Sequence, residues 1–298
     1  MTTEPIVLLF FIDGLGIGTR GPHNPLDNLS EAAPLAIFQN EIAEACFNGI
    51  VAPTDPRLGV AGRPQSASGQ TTILTGVNAP SILGHHKQGF PNRHLLKIIA
   101  EHSIFRRLRE KQIESITFAN AYTSQFFTQR PRWVSATTAA VEAANIPFRN
   151  VNDLRSDRAL YQDFTNRVLI ERGEDVLPRT PDEAASVLAQ ITNENRFTLY
   201  EFFITDKIGH TQDFEKARAV VPQLARFIRQ LLAQLDLSRT TVILTSDHGN
   251  IEDLATRNHT LNDVPTIVWG ANQEAVAARI KTLADVTPTI LNLLTAHT

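Results

Sequence analysis

The chain has 298 residues, and its 28 lysines and arginines nearly balance 31 aspartates and glutamates, which gives a formal net charge of −3. This balance argues against a dedicated nucleic-acid-binding protein, because such proteins carry a large basic excess. The single cysteine, Cys46, excludes an internal disulfide and a thiolate metal cluster. The longest early apolar run, Ile6–Ile12, is too short for a membrane span or a signal-peptide core. We therefore expect a globular, cytoplasmic protein without nucleic-acid or membrane partners.

Predicted strands and helices alternate along the chain. Short β-branched and aromatic runs predict strands at Ile6–Ile12, 115–119, 197–205, Thr240–Thr245 and 265–269. Helical spacing and capping signals predict helices over 103–112, from Pro181 with Thr180 as N-cap, over 215–235, and over 275–294, where Thr287-Pro288 interrupts or restarts the helix. This order predicts an α/β fold, a mostly parallel sheet sandwiched by helices. Ligands of such sheets gather at the carboxyl ends of the strands.

Residues 120–180 depart from this alternation, and we call them the inserted segment. They include eight arginines and no lysine. Arginine suits bidentate contacts with phosphate or carboxylate, although a solvated insertion held by ion pairs is the better explanation for most of these arginines. We expect residues 1–119 and 181–298 to form the core, and the inserted segment to be a small cap or a substrate-gripping unit.

Two groups of polar residues in the first third of the chain carry candidate chemistry. Asp13 begins the sequence Asp-Gly-Leu-Gly-Ile-Gly after the first strand; this spacing misses the G-x-G-x-x-G dinucleotide fingerprint but suits a metal site or an ordinary turn. Ser66 lies in a hydroxyl-rich run with a helix-like continuation. A serine at a helix N-terminus suits a nucleophile that carries a phosphoryl group, and it equally suits a simple N-cap.

Two further groups lie in the last third of the chain. Asp206 and His210 are four residues apart, so one helical face or one tight loop brings them together. Asp247 and His248 follow the strand Thr240–Thr245, and His259 comes eleven residues after His248.

The combined ligand set is three aspartates, three histidines and one serine. Mixed carboxylate and imidazole ligands favour zinc, manganese or related ions. Seven ligands are too many for one tetrahedral ion and suit two. Two divalent ions can stabilise both oxygens of an in-line displacement, which predicts a binuclear site for phosphoryl or sulfuryl transfer.

The order of these motifs resembles the alkaline phosphatase superfamily, and within it the branch of cofactor-independent phosphoglycerate mutase and phosphopentomutase. The resemblance covers roughly residues 4–80 and 197–294. It rests on motifs that occur here in the family's order: Asp13-Gly, Gln65-Ser66-x-x-Gly69, Asp206-x-x-x-His210, Thr245-Ser-Asp-His-Gly-Asn250, His259-Thr-x-x-x-Val-Pro265 and Asp285-Val-Thr-Pro-Thr-Ile-Leu291.

The resemblance implies a role for each of these positions. One ion would be held by Asp206, His210 and His259. The other would be held by Asp13, Asp247 and His248, with Ser66 as both ligand and nucleophile and Ser68 as the fallback. It also implies a small phosphorylated metabolite as substrate, two divalent ions (manganese or zinc) as cofactors, and a phosphoserine intermediate.

The sequence departs from the mutases at two points, and the second decides the order of our hypotheses. Gln70 stands where the mutases have histidine, and the inserted segment is shorter than their caps, which makes exclusion of water harder. A phosphatase therefore comes first, a phosphomutase is the alternative, and a non-catalytic metal-binding regulator comes third. The run Ser66-Ala-Ser-Gly-Gln lacks the sulfatase signature. Arg130 and Arg132, which flank Pro131, are the candidate substrate-binding arginines.

Overall fold

The protein is described here by a computed structural model, which covers residues 4–41 and 46–295. The side chain of Cys46 lies outside the described part. Within it, the strands are β1 (Ile6–Ile12), β2 (Ile50–Thr54), β3 (Ile116–Phe118), β4 (Ala121–Tyr122), β5 (Arg149–Asn150), β6 (Phe197–Phe202), β7 (Thr240–Thr245) and β8 (Val264–Trp269).

The helices of the described part connect these strands. They are α1 (Ser66–Thr75), α2 (Ala79–Leu83), α3 (Arg93–His102), α4 (Ile104–Glu110), α5 (Ser124–Thr128), α6 (Ala136–Ala143), α7 (Val151–Arg155), α8 (Arg167–Glu171), α9 (Pro181–Asn193), α10 (Ile204–Thr211), α11 (Phe214–Gln234), α12 (Gln273–Arg279) and α13 (Val286–Thr295). No helix of residues 4–41 and 46–295 is both long enough and apolar enough to cross a membrane.

Six strands form one sheet in the order β2-β8-β7-β1-β6-β3. β1 pairs in parallel with β6 and β7, and β3 pairs in parallel with β6. β8 runs antiparallel to both of its neighbours, β2 and β7. Five strands therefore share one direction, and the carboxyl ends of β1, β6 and β7 meet at one edge. This architecture confirms the predicted mostly parallel α/β sheet.

The alternation of side chains along β1 divides the core into two layers. Leu8, Phe10 and Ile12 pack on one face of the sheet with α9 and α11. Val7, Leu9 and Phe11 pack on the other face with α1, α3, α4, α6, α12 and α13. Because both faces are covered by helices, β1 is apolar along its whole length.

Most predicted elements are present with small shifts at their ends. β1 and β7 have the predicted bounds, and α9 begins at Pro181 behind Thr180, whose side chain forms a capping box with Glu183. Two expectations were wrong in detail. The strand expected over 197–205 ends at Phe202, and α10 begins at Ile204. The final helix is broken before Leu283 rather than at Thr287-Pro288, which lies in the first turn of α13.

The inserted segment contributes side chains to both layers of the core. Leu160 and Phe164 belong to the layer of α9 and α11. Ala136 and Ala140 of α6 belong to the opposite layer, where α6 packs against α1 and α3. A third, small cluster lies mainly within the segment and includes Tyr161. The division of the chain at 120 and 180 stays a prediction.

Candidate metal centre

Asp13 lies directly after β1, at the edge of the sheet where the parallel strands end. Its backbone N–H donates to the carbonyl of Phe202 at 2.9 Å, which fixes the end of β1 against the end of β6. The next residue, Gly14, has φ +74°, and a Cβ there would lie 2.9 Å from Cα and Cβ of Asp206. Glycine is therefore required both for the turn and for the close approach of Asp206 to this turn.

Ser66 is the first residue of α1, as the sequence predicted. Its Oγ lies 3.0 Å from Nε2 of His248. One turn later, a Cβ on Gly69 would come within 3.0 Å of the Asp247 side chain, so the glycine lets α1 pack directly onto the loop after β7. The positive end of the α1 dipole thus faces the carboxylates of the site.

The first group of ligands consists of Asp206, His210 and His259. Asp206 and His210 lie on α10, and His210 Nε2 is 3.3 Å from Asp206 Oδ2. Nε2 of His259 is 3.5 Å from Asp206 Oδ1 and 3.2 Å from Nε2 of His210. The other ring nitrogens are oriented by carbonyls: His210 Nδ1 lies 2.8 Å from the carbonyl of Arg257, and His259 Nδ1 lies 2.8 Å from that of Pro64. Both Nε2 atoms therefore face Asp206.

The second group consists of Asp13, Asp247 and His248, with Ser66 beside them. Nε2 of His248 is 3.3 Å from Asp13 Oδ1 and 3.5 Å from Asp247 Oδ2. The rings of His248 and His259 stack with their centroids 3.5 Å apart, so the two groups are in contact. The structure thus brings all seven predicted ligand residues together. Their role as ligands stays a prediction.

The donor atoms of both groups fit divalent ions. Asp13 Oδ1 and Asp247 Oδ1 are buried, and neither has a hydrogen-bond partner within the described part of the chain. A buried carboxylate oxygen without a partner is costly unless a cation neutralises it. Ligand atoms of Asp13, Asp247 and His248 lie within 4.8 Å of one another, as do those of Asp206, His248 and His259. These atoms could hold a metal without rearrangement of the backbone.

Burial governs the titration of the second group. It raises the pKa of the Asp247 carboxyl to about 7, with the charge of Asp206 acting in the same direction. It also raises the pKa of Asp13 well above its ordinary range, helped by the charge of Asp247. Burial lowers the pKa of the His248 imidazole to about 3, which leaves this ring neutral and able to bind a metal. Protons and divalent ions therefore compete for the two buried carboxyls.

The first group titrates in the opposite sense. Burial of Asp206 would raise its pKa, but the hydrogen bond from His259 and the neighbouring imidazoles hold the pKa below its ordinary value. Burial of His259 would lower its pKa, and the hydrogen bond to Asp206 raises it above 6.5 instead. The hydrogen bond between Asp206 and His259 therefore favours the ionised form of both partners.

Two supporting residues carried no signal in the sequence. The Gln70 amide Nε2 donates to Asp13 Oδ2 and Asp247 Oδ2, each at 3.2 Å. The buried Glu252 accepts four hydrogen bonds that tie together three ligand-bearing loops; the donors are Gly16 N, Asn250 N, Thr260 Oγ1 and Asn262 Nδ2. Gln70 was noted only as a departure from the mutases, and Glu252 was not singled out.

The two candidate substrate-binding arginines make local contacts. Arg130 forms an ion pair with Glu142, and the guanidinium of Arg132 lies 5.2 Å from the ring centroid of Trp133. Pro131 between them lines a cavity of about 500 Å³. The basic side chain among the described residues that line this cavity is Arg172. Substrate binding by Arg130 and Arg132 stays a prediction.

Comparison with known proteins finds a family match in the C-terminal part of the chain. Residues 172–298, which include five of the seven candidate ligands, match the model of the metalloenzyme superfamily. The 2,3-bisphosphoglycerate-independent phosphoglycerate mutase of Dinoroseobacter shibae is 38% identical over 96 residues, which cover 30% of this chain and 19% of the mutase. The enzyme of the same name from Roseobacter denitrificans is 29% identical over 144 residues, which cover 41% of this chain and 28% of the mutase. The chain thus matches less than a third of the length of either relative.

Solved structures share the fold along nearly the whole chain. The PH0037 protein of Pyrococcus horikoshii superposes with a TM-score of 0.57 at 12% identity, covering 99% of this chain and 98% of its own. A cold-active alkaline phosphatase from a psychrophilic Shewanella superposes with a TM-score of 0.50 at 11% identity, covering 96% and 99%. The comparisons confirm the resemblance recognised from the motifs: part of the chain matches the metalloenzyme superfamily and cofactor-independent phosphoglycerate mutases, and the fold is shared with an alkaline phosphatase.

Proposed function

We propose that this protein catalyses metal-dependent phosphoryl transfer from small phosphomonoesters through a phosphoserine at Ser66, with hydrolysis as the net reaction. One observation carries the proposal. The Ser66 hydroxyl lies 3.0 Å from His248 Nε2, at the N-terminus of α1 and beside two buried carboxylates that have oxygens without hydrogen-bond partners. A hydroxyl in this position is a candidate nucleophile for phosphorus.

The seven residues divide into two metal-binding groups. Asp206, His210 and His259 would hold one divalent ion. The second ion would be held by four residues: Asp13, Asp247, His248 and Ser66. Two such ions, which we propose to be manganese or zinc, would favour the ionised serine and stabilise negative charge on the phosphoryl oxygens.

The residues of the chain then have defined tasks in the proposed reaction. Ser66 Oγ forms a bond to phosphorus while the bond from phosphorus to the ester oxygen breaks, and the released alcohol gains the proton that the serine loses. The N-terminus of α1 directs backbone N–H groups toward the site, where they favour an anionic group. The oxygen of a water molecule then forms a bond to phosphorus while the bond from phosphorus to Ser66 Oγ breaks, and a proton from that water restores the Ser66 hydroxyl as inorganic phosphate leaves.

Ser66 is a better candidate than its fallback, Ser68. The Ser68 side chain is fully buried. Its Oγ donates to the carbonyl of Gln65 at 3.2 Å and accepts from the backbone N–H of Lys87 at 3.0 Å. Ser68 therefore anchors the loop between α2 and α3 to α1, and its hydroxyl is occupied by backbone partners.

A phosphomutase is the second candidate function, and the mutase relatives favour it. In that case a second hydroxyl of the substrate, rather than water, takes the phosphoryl group from Ser66. We propose hydrolysis first because the inserted segment is short and because the matched segments span so little of the mutases. A non-catalytic metal-binding regulator is a weaker proposal, since all seven candidate ligand positions are filled.

The test is phosphate release from an aryl phosphate by metal-free protein titrated with manganese, zinc or magnesium. We expect metal-dependent turnover that falls by at least about a thousandfold in Ser66→Ala and much less in Ser68→Ala. Denaturant unfolding of both variants in their metal-free form is the control for folding. Full activity of Ser66→Ala would overturn the nucleophile. Isomerised sugar phosphate without free phosphate would replace hydrolysis with mutase activity.

A further inference from the structure

The 500 Å³ cavity opens between the inserted segment and the ends of β3 and β6. From β6 and the residue after it, Glu201 and Phe203 contribute to its lining. From the inserted segment, Tyr122 and Phe126 contribute on the opposite side. The cavity is several times larger than a phosphate group needs, and its size is typical of sites for drug-sized ligands.

The cavity lies next to the metal centre. Phe202 lies between Glu201 and Phe203 in the sequence, and its carbonyl accepts a hydrogen bond from the backbone N–H of Asp13 at 2.9 Å. Glu201 also lines a small apolar gap together with Gln70, whose amide donates to Asp13. The cavity and the candidate metal centre therefore lie at the same edge of the sheet, at the ends of adjacent strands.

Aromatic rings and uncharged polar groups dominate the lining. Five aromatic residues contribute, and the rings of Tyr122 and Phe126 lie 4.2 Å apart at 36°. Amides and hydroxyls supply most of the remaining lining: Asn120, Thr123, Gln125, Gln129, Ser135, Thr138 and Gln162. Two residues with ionisable side chains line the cavity in the described part of the chain, Arg172 and Glu201. Glu201 accepts a hydrogen bond from Thr137, and burial raises its pKa to about 8, so it is largely uncharged at neutral pH.

We propose that this cavity binds the leaving group of the substrate and selects phosphomonoesters whose organic part is an aromatic ring with hydrogen-bonding substituents. This inference rests on the proposed function, and it names the substrate class of that site. A three-carbon acid such as phosphoglycerate would leave the aromatic wall in contact with water and would use the amides and hydroxyls poorly. A planar ring would instead contact Tyr122 and Phe126 and meet polar groups at its edge.

The experiment measures binding, so it is independent of turnover. Phenylphosphonate and methylphosphonate present the same anionic group to the metal centre, and neither has the ester bond that the proposed reaction breaks. Their dissociation constants for the metal-loaded wild-type protein are measured by calorimetry, and we expect phenylphosphonate to bind at least about tenfold more tightly. Phe126→Ala should remove most of this preference while leaving methylphosphonate binding unchanged.

Phe127→Ala is the matched control. Phe127 is the adjacent residue on α5, its side chain is about half exposed, and it does not line the cavity. We expect it to change neither constant. Equal affinity of the wild-type protein for the two phosphonates would overturn the inference, and so would equal losses for both ligands in Phe126→Ala. Absence of binding by either phosphonate would overturn it as well.

Two further outcomes separate this inference from the proposed function. Selective binding of phenylphosphonate without hydrolysis of any phosphomonoester would support the cavity's role and contradict the hydrolase. Hydrolysis of phosphomonoesters without a preference for phenylphosphonate would support the hydrolase and contradict the cavity's role. Competition of phenylphosphonate with an aryl phosphate and with a nucleoside 5′-monophosphate then shows whether the preferred ring is a simple arene or a heterocyclic base.

Discussion

Gln70 links the two buried carboxylates of the second ligand group. Its amide nitrogen has two hydrogens, so it can donate to Asp13 and Asp247 together. The resemblance to the mutases implies a histidine at this position, and an imidazole would donate there only when the facing nitrogen carried a proton. An amide donates at every pH. Gln70 therefore keeps both carboxylates oriented whether or not the neighbouring imidazoles are charged.

Glu252 holds the ligand-bearing loops, and its removal should be costly. Its carboxylate accepts from Gly16 N at 3.0 Å, from Asn250 N at 2.7 Å and from the Thr260 hydroxyl at 2.5 Å. We expect Glu252→Ala to lower the free energy of unfolding by about 3 kcal/mol or more, because buried donors lose their acceptor and a cavity remains. Denaturant unfolding of the metal-free protein measures this loss.

The matched variant is Glu252→Gln. One amide oxygen can still accept from Gly16 and Asn250, and the Thr260 hydroxyl can reverse its direction and accept from the amide nitrogen. We expect glutamine to retain most of the stability that alanine loses. Equal losses in the two variants would show that Glu252 acts through its charge rather than through its hydrogen bonds.

The sequence predicted the candidate metal-binding side chains but not the groups that support them. Asp13 and Asp247 follow buried strands, and Asp206 and His210 are one helical turn apart, so residue type and local spacing were sufficient. Glu252 could not be found in this way. Its partner Gly16 is 236 positions away, and a lone glutamate after a histidine motif is indistinguishable from a surface residue until the chain is folded.

At the scale of single elements, strands buried on both faces were the easiest to predict. β1 and β7 have continuous apolar or β-branched sequences, and both were predicted with the observed bounds. The direction of β8 was not predictable, because antiparallel pairing with β2 and β7 depends on contacts rather than on local sequence. The start of α10 was missed because Ile204 and Thr205 favour strands in isolation, whereas the buried turn places them in a helix.

The capping box of α9 gives a prediction for this element. Thr180 Oγ1 accepts from the backbone N–H of Glu183 at 3.3 Å, and Glu183 Oε2 accepts from the Thr180 N–H at 2.8 Å. We expect Thr180→Ala to lower the free energy of unfolding by about 1 kcal/mol, since one N-terminal N–H loses its acceptor. Thr180→Ser keeps the oxygen and should stay close to wild type. If Thr180→Ser lost as much stability as Thr180→Ala, the effect would come from the methyl group of threonine.

At the scale of the whole molecule, the sheet brings distant parts of the chain to one edge. Asp13, Ser66, Asp206 and Asp247 come from four segments, and the parallel order of β7, β1 and β6 places three of these segments side by side. The sequence therefore predicted a common site once a parallel sheet was assumed. It did not predict the cavity, because the ring pair Tyr122–Phe126 faces Glu201 only after the inserted segment has packed against β3 and β6.

The buried carboxyls of the metal-free protein should make its stability fall as pH rises. Asp247 has a pKa of about 7 against an ordinary 3.8, and Glu201 has a pKa of about 8 against 4.5. The folded state therefore holds protons that the unfolded state has lost, so their stabilising effect is present at low pH and disappears as pH passes 7 to 8. Between pH 6.5 and 8 we expect a loss of about 2 kcal/mol in the free energy of unfolding.

Denaturant unfolding at fixed ionic strength across this pH range measures the effect, with chelator present to keep the protein metal-free. Glu201→Gln removes one of the two titrating carboxyls at nearly constant shape, so the pH-dependent loss should fall to about a third, because Asp247 has already lost part of its protons at pH 6.5. Saturating manganese or zinc should reverse the trend, because an ion competes with protons for Asp13 and Asp247 and binds more tightly as pH rises. If the stability of the metal-free protein increased between pH 6.5 and 8, these carboxyls would already be ionised at pH 6.5. The buried site would then keep its negative charge without a cation.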